Sequence, residues 1–66
     1  MNLQINGEPR EVPDGVTVEG LLRALGIPPT GVAVEVNQAI VRRARHPQVQ
    51  LSPNDRVEIV TFVGGG

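Results

Sequence analysis

Residues 17–29 read TVEGLLRALGIPP and form the strongest helical pattern in the chain. Thr17 is a residue type that caps helix N-termini, and Glu19 places a negative charge in the first turn. Apolar residues recur at the spacing of one helical face: Val18, Leu21, Leu22 and Leu25. Gly26 suits the C-terminal cap and Pro28 with Pro29 forbids continuation, so the predicted helix has about nine residues. Because so short a helix is unstable alone, we expect it to pack on a sheet.

The segment before the helix predicts a β-hairpin. Leu3 and Ile5 alternate with polar residues, and the dipeptide Asn6-Gly7 that follows favours a tight turn with positive φ. The returning strand, residues 9–12, contains Pro9, which cannot donate a ladder hydrogen bond. We therefore place this strand at an edge of the sheet.

The segment after the helix predicts a second hairpin. Residues 32–36 have valine at every second position, Asn37-Gln38 favours a turn, and residues 39–41 return as a strand. A polar connection follows, and we expect Val49 and Leu51 to pin it to the core.

The last segment, residues 56–63, is rich in β-branched residues and predicts a final strand. Its alternation places Val57 and Ile59 on one face and Val60 and Phe62 on the other. The first hairpin is local and the helix can pack across the sheet, so the last strand most simply enters the middle, parallel to the first. This α+β architecture is the β-grasp: a mixed sheet of four to five strands packed on one short helix.

The composition limits the possible functions. The chain has 66 residues, with seven acidic residues, six arginines, no lysine and no cysteine. A chain this short predicts one β-grasp domain, residues 1–63, followed by a flexible tail, residues 64–66. The absence of cysteine excludes disulfides, thiolate zinc sites and a cysteine nucleophile on these residues.

The charge and apolar patterns predict where the protein acts. The near-neutral charge and the single aromatic residue argue against nucleic-acid binding. No apolar run approaches the roughly 20 residues that span a bilayer, and the first residues lack a signal-peptide pattern. We therefore expect a cytoplasmic protein with no membrane partner.

The candidate site is Gly64-Gly65-Gly66. A run of glycine gives a thin, mobile backbone that a narrow channel of another protein can admit. With ATP in a partner's active site, the carboxylate of Gly66 can attack the α-phosphate and become an acyl-adenylate, from which sulfide or a thiol displaces AMP. Glycine runs are often frayed tails, but this one directly follows the inferred central strand. We therefore assign Gly66 as the reactive group and Gly64 and Gly65 as its tail.

Several segments jointly carry a specific resemblance. They are NGEPR at 6–10, TVEGLLRAL at 17–25, GVAVEVN at 31–37 leading to Ile40-Val41, DRVEIV at 55–60, and VGGG at 63–66. On these segments the chain resembles the ThiS family, the sulfur carriers of thiamin biosynthesis within the ubiquitin-like β-grasp proteins. Where that family frequently has Gly-Asp before the last strand, this chain has Asn54-Asp55. Asparagine tolerates the left-handed conformation that glycine would supply.

The resemblance implies a cosubstrate that is consumed and recharged, and not an enzyme. A ubiquitin-activating-enzyme-like adenylyltransferase would adenylate Gly66, using ATP and Mg that the partner binds. A sulfur-relay enzyme would convert the adenylate to a thiocarboxylate, and thiazole synthase would take the sulfur for the thiamin thiazole ring. On this interpretation the chain binds no cofactor or metal of its own and is a monomer when free.

An apolar patch on the last strand suggests where a partner docks. Val60 and Phe62 lie on the strand face where polar neighbours indicate solvent, and an apolar patch with a polar rim often forms a partner surface. We therefore predict that Phe62, Val60, Ala33 and Val41 form the surface that feeds the tail into the activating enzyme. The competing interpretation is that a loop covers Val60 and Phe62, or that their exposure has no meaning.

The remaining polar residues do not form a catalytic set. Arg42, Arg43 and Arg45 beside His46 are interpreted as solvated surface, because the lone histidine has no cysteine, serine or second histidine near it in sequence. The carboxylates are scattered over turns and strand faces. The chain also lacks a phosphate-binding glycine loop between strand and helix and a cofactor fingerprint.

Other functions remain open at this point. The small subunit of molybdopterin synthase also ends in Gly-Gly and carries a thiocarboxylate, and a carrier for tRNA thiolation or for conjugation to protein lysines would share the terminal chemistry. From a different class, a β-grasp interaction module would bind a partner through its sheet and keep an inert tail.

Overall fold

A computed structural model of the chain describes residues 1–62. Within that range five strands and one α-helix form the elements β1 (Asn2–Ile5), β2 (Glu8–Glu11), α1 (Val18–Ala24), β3 (Val32–Val36), β4 (Ala39–Val41) and β5 (Arg56–Thr61). The expected end of the domain at Val63 and the predicted flexible tail, residues 64–66, lie outside the described residues.

The strands form one mixed sheet in the order β2-β1-β5-β3-β4. The last strand lies between the first and third strands, parallel to β1 and antiparallel to β3. Strand β2, which contains Pro9, lies at the edge. The predicted β-grasp topology and the edge position of β2 are therefore confirmed.

Both hairpins close through residues with positive φ. Asn6 and Gly7 have φ values of 51° and 84°, and Asn37 and Gln38 have φ values of 51° and 72°. Two consecutive residues of positive φ give the turn whose twist matches that of the flanking strands. Asn54, before β5, has φ 69°, which confirms that asparagine adopts the left-handed conformation there.

The helix begins and ends where its capping residues predict. The Thr17 hydroxyl accepts a hydrogen bond from the Gly20 backbone N–H at 3.0 Å, and Gly26 after the helix has φ 72°. Both flanking residues, Thr17 and Leu25, are caps, so the helix proper has seven residues, slightly shorter than predicted. Its N-terminal acidic residue is Glu19 and its C-terminal basic residue is Arg23, which both complement the helix dipole.

The core lies between the helix and one face of the sheet. The buried apolar residues are Leu3, Val12, Val18, Leu21, Leu22, Val34, Leu51, Val57 and Ile59. Two backbone hydrogen bonds join the connection after β4 to the start of α1. The Leu51 N–H donates to the Val16 carbonyl at 2.9 Å, and the Val18 N–H donates to the Val49 carbonyl at 3.0 Å. Leu51 is buried and Val49 half-buried, so the predicted anchoring is confirmed. The helix packs on one face of the sheet, and we define the opposite face as the outer face.

No helix within residues 1–62 combines the length and the apolarity that a bilayer crossing requires.

Candidate functional site

The end of β5 is the structural starting point of the candidate site. Strand β5 ends at Thr61, and the Phe62 N–H donates to the Gly31 carbonyl at 2.8 Å. This hydrogen bond keeps the backbone beside the sheet as far as Phe62. The predicted reactive and tail residues, Gly64, Gly65 and Gly66, lie beyond the part of the chain that the structure describes.

The outer face presents the apolar residues predicted for partner docking, with one exception. Val60 is 56% exposed and Phe62 is 64% exposed. Ala33 is paired with Val60 across β3 and β5, so the two side chains share the outer face. Within residues 1–62 no loop covers Val60 or Phe62, since both are exposed.

The placement of Val41 in this patch is corrected by the register of β4. Val41 pairs with Val34, a buried core residue, and packs against the core. Its neighbour Ile40 pairs with Glu35 on the outer face and is 75% exposed. The physical reason is the two-residue turn at Asn37 and Gln38, which pairs Val36 directly with Ala39 and so fixes which β4 residue faces outward. We therefore define the outer apolar patch as Ala33, Ile40, Val60 and Phe62.

Glutamates interrupt this patch. Glu35 and Glu58 are direct partners across β3 and β5, and both are exposed on the outer face. Glu35 also has Ile40 as its partner on β4. The outer face therefore combines the outer apolar patch with a pair of carboxylates, and Gln4 and Arg56 add polar side chains beside them.

A groove lies on the helix side of the molecule. It has a volume of about 860 Å³ and runs between α1, the loop that contains Pro28 and Pro29, and the 3₁₀ turn at Arg43–Arg45. The arginines at its rim are Arg23 and Arg43. Its lining contains no cysteine or serine, and residues 1–62 hold no group of three or more His, Cys, Asp or Glu side chains that could bind a metal.

His46 is buried, whereas the sequence analysis interprets this segment as solvated surface. It is 3% exposed, and its Nε2 lies 3.2 Å from the Val41 carbonyl oxygen. Its own carbonyl accepts a hydrogen bond from the Glu19 N–H at 3.1 Å, which ties the 3₁₀ turn to the first turn of α1. Its Nδ1 has no hydrogen-bond partner among the described residues. Nothing in the local sequence signalled this burial, because neighbouring arginines and Pro47 form no periodic pattern.

Comparisons with known proteins agree with the fold. The family model described as the ThiS family matches residues 3–66. The sulfur carrier protein ThiS of Bacillus subtilis is 38% identical over 65 residues, with 97% of this chain and 98% of that protein covered. The crystal structure of the thiamine biosynthesis protein ThiS from Geobacter metallireducens superimposes with a TM-score of 0.85 at 35% identity, covering 100% of both chains.

One similarity extends to a larger protein. The chain is 47% identical over all 66 residues to a thiazole synthase of Magnetococcus marinus, but it spans only 20% of the length of that relative.

The five-stranded mixed sheet on one helix defines a ubiquitin-like β-grasp domain. Within that class the chain belongs to the ThiS family, and the two relatives described above are named a sulfur carrier protein and a thiamine biosynthesis protein.

Proposed function

We propose that this protein is a sulfur carrier of thiamin biosynthesis and that the carboxylate of Gly66 holds the sulfur. The observation that carries the proposal is the match of the ThiS family over residues 3–66, which includes the whole glycine run. The near-complete mutual coverage with the Bacillus subtilis sulfur carrier supports the same conclusion.

The chemistry proposed for Gly66 needs a partner that supplies ATP and Mg. The carboxylate attacks the α-phosphate, pyrophosphate leaves, and an acyl-adenylate forms on the carrier. Sulfide supplied by a sulfur-relay enzyme then attacks the carbonyl carbon and displaces AMP, and loss of the S–H proton gives a thiocarboxylate. This role makes the protein a cosubstrate and not a catalyst.

Thiazole synthase is the proposed sulfur acceptor. Two proteins named thiazole synthase, from Magnetococcus marinus and Paramagnetospirillum magneticum, each contain a segment 47% identical to this chain. Joining a carrier to its acceptor in one polypeptide raises their effective concentration without any new contact. That arrangement in relatives supports transfer from Gly66 to the same acceptor here.

The outer apolar patch is the proposed docking surface for the activating enzyme. Phe62 and Val60 are more than half exposed at the end of the strand that leads toward Gly66, and contiguous exposed apolar residues often form a protein interface. The Phe62→Ala variant should keep its thermal stability, because the side chain is largely solvated, and should be adenylated more slowly. Unchanged stability together with an unchanged adenylation rate would remove this surface from the proposal.

Intact-mass measurement tests the function directly. The protein is purified from its native host without a C-terminal tag and weighed before and after incubation with thiazole synthase and its substrates. The expected result is a species heavier than the free acid by the difference between sulfur and oxygen, which returns to the free acid during the incubation.

Two other outcomes would contradict the proposal at different levels. A thiocarboxylate that survives the incubation would keep the carrier function and move its acceptor to molybdopterin or tRNA. If no such species forms even with ATP, the activating enzyme and a sulfur source, the result would contradict the carrier function and favour an interaction module. A cytoplasmic location and a monomeric free state stay predictions, to be checked by cell fractionation and sedimentation.

A further inference from the structure

Two carboxylates face each other at the centre of the outer face. Glu35 on β3 and Glu58 on β5 are direct register partners, and both side chains are exposed. Directly opposed residues on one face of an antiparallel pair have Cβ atoms about 4.5 to 5.5 Å apart. The two negative charges are therefore neighbours on the pair of strands that hold the middle of the sheet.

This pairing works against the stability of the isolated protein. Like charges placed directly opposite in a sheet are destabilising. Within residues 1–62 the single ion pair joins the Met1 amine to Asp14, so neither glutamate has a cationic partner at ion-pair distance there. Arg56 lies on the same face of β5 as Glu58, two residues earlier, but it forms no ion pair with either glutamate. The carboxylate pair therefore has no ion-pair partner within residues 1–62.

Exposed apolar residues surround the pair formed by Glu35 and Glu58. Ile40 flanks Glu35 on β4, and the neighbouring row on β3 and β5 consists of Ala33 and Val60. Ile40, Val60 and Phe62 are all more than half exposed. A protein that covers these apolar residues must also cover the two carboxylates, and burying an unpaired charge is costly. The covering surface must therefore bring its own positive charge.

We propose that Glu35 and Glu58 together receive one arginine side chain of the activating enzyme when that enzyme covers the outer apolar patch. This inference rests on the proposed carrier function. Arginine fits better than lysine, because a planar guanidinium presents five N–H donors in a fixed fork and can bond two carboxylates at once. The repulsion between the glutamates in the free protein is then relieved on docking, and the acidic pair sets which partner surfaces are accepted.

The test combines stability with adenylation kinetics. The variants are Glu35→Gln, Glu58→Gln and the double variant, which keep side-chain size and remove charge. The matched control is Glu8→Gln on β2, an exposed glutamate on the edge strand. Each protein is unfolded by heat, and its KM and kcat are measured in ATP–pyrophosphate exchange with the activating enzyme purified from the same host.

The expected result separates docking from folding. Each single variant should melt at or above the wild-type temperature, and each should raise the KM for the carrier by about tenfold with kcat unchanged. Because both glutamates contact one arginine, the double variant should raise KM by less than the product of the two single effects. Glu8→Gln should leave KM close to the wild-type value, which excludes a general effect of net charge.

Several outcomes would overturn the inference. Wild-type KM in the single variants would remove the acidic pair from the interface, and so would equal effects of Glu8→Gln and Glu35→Gln. If the variants weaken only the transfer to thiazole synthase, or only a self-association seen by sedimentation, the partner is wrong. Failure of the wild-type protein to support any exchange would instead contradict the proposed function.

Discussion

The Asn6 side chain bonds both backbone groups of Ile59. Its Oδ1 accepts from the Ile59 N–H at 2.7 Å and its Nδ2 donates to the Ile59 carbonyl at 3.2 Å. Asn6 belongs to the first hairpin turn and Ile59 to the central strand, 53 residues later. The turn that closes the first hairpin therefore also bonds to β5, two residues beyond the last pair of β1 and β5, Ile5 with Val57.

Asn6→Ala should lower the free energy of unfolding by about 2 to 3 kcal/mol. It removes two hydrogen bonds, and alanine lacks the polar side chain that lets asparagine tolerate positive φ. Asn6→Gly tolerates the positive φ and loses only the hydrogen bonds, so its loss should be smaller. Urea denaturation followed by circular dichroism measures both. Wild-type stability in both variants would show that the contact with Ile59 contributes nothing.

Thr17→Ala should lower the free energy of unfolding by about 1 kcal/mol, since the Gly20 N–H then loses its capping oxygen. Thr17→Ser is the matched control, because it keeps the hydroxyl and should stay within about 0.5 kcal/mol of the wild type. Thermal unfolding of the three proteins under one condition is the measurement. A serine variant as unstable as the alanine variant would mean that the threonine methyl, and not the cap, matters.

Leu22→Ala should cost about 2 to 5 kcal/mol, a large share of the stability of a small domain. Leu22 is 2% exposed and belongs to the core under the sheet. The control is Arg23→Ala at the next helix position, where the side chain is exposed to solvent. This variant should change the free energy of unfolding by no more than about 0.5 kcal/mol. Denaturant titration compares the two, and similar losses would show that the wrong helix face has been assigned to the core.

Much of the fold could be predicted from sequence because its signals are local. The turn dipeptide Asn6-Gly7, the Thr17 cap and the Gly26 stop each act within a few residues, and the structure confirms all three. The central position of β5 followed from topology, since a local hairpin and a crossing helix leave the middle of the sheet open.

The two failures of sequence analysis have different causes. The face of Val41 can be read from the sequence, because a two-residue turn at Asn37 and Gln38 pairs Val36 with Ala39 and so turns Val41 toward the core. The burial of His46 was not available, because it depends on packing between the 3₁₀ turn and the helix entrance, elements about 25 residues apart in sequence.

His46→Ala should lower the free energy of unfolding by about 2 to 3 kcal/mol, because it leaves a cavity and deprives the Val41 carbonyl of its side-chain contact. The matched control is Gln48→Ala in the same connection, where the side chain is exposed. Urea denaturation should show wild-type stability for the control. A histidine variant as stable as the control would show that the 3₁₀ turn is held by its backbone bonds alone.

Ile40 and Val41 are neighbours on β4 that face opposite sides of the sheet. Val41 packs against the core and should lose about 1 kcal/mol of unfolding free energy on change to alanine, because part of its side chain leaves apolar contact. Ile40 is 75% exposed, so Ile40→Ala should keep its stability and instead raise the KM for the carrier in adenylation. Thermal unfolding and exchange kinetics on the same two proteins give both values. The opposite result, with Val41→Ala affecting KM alone, would place Val41 in the docking surface as the sequence predicts, and would contradict the register of β4.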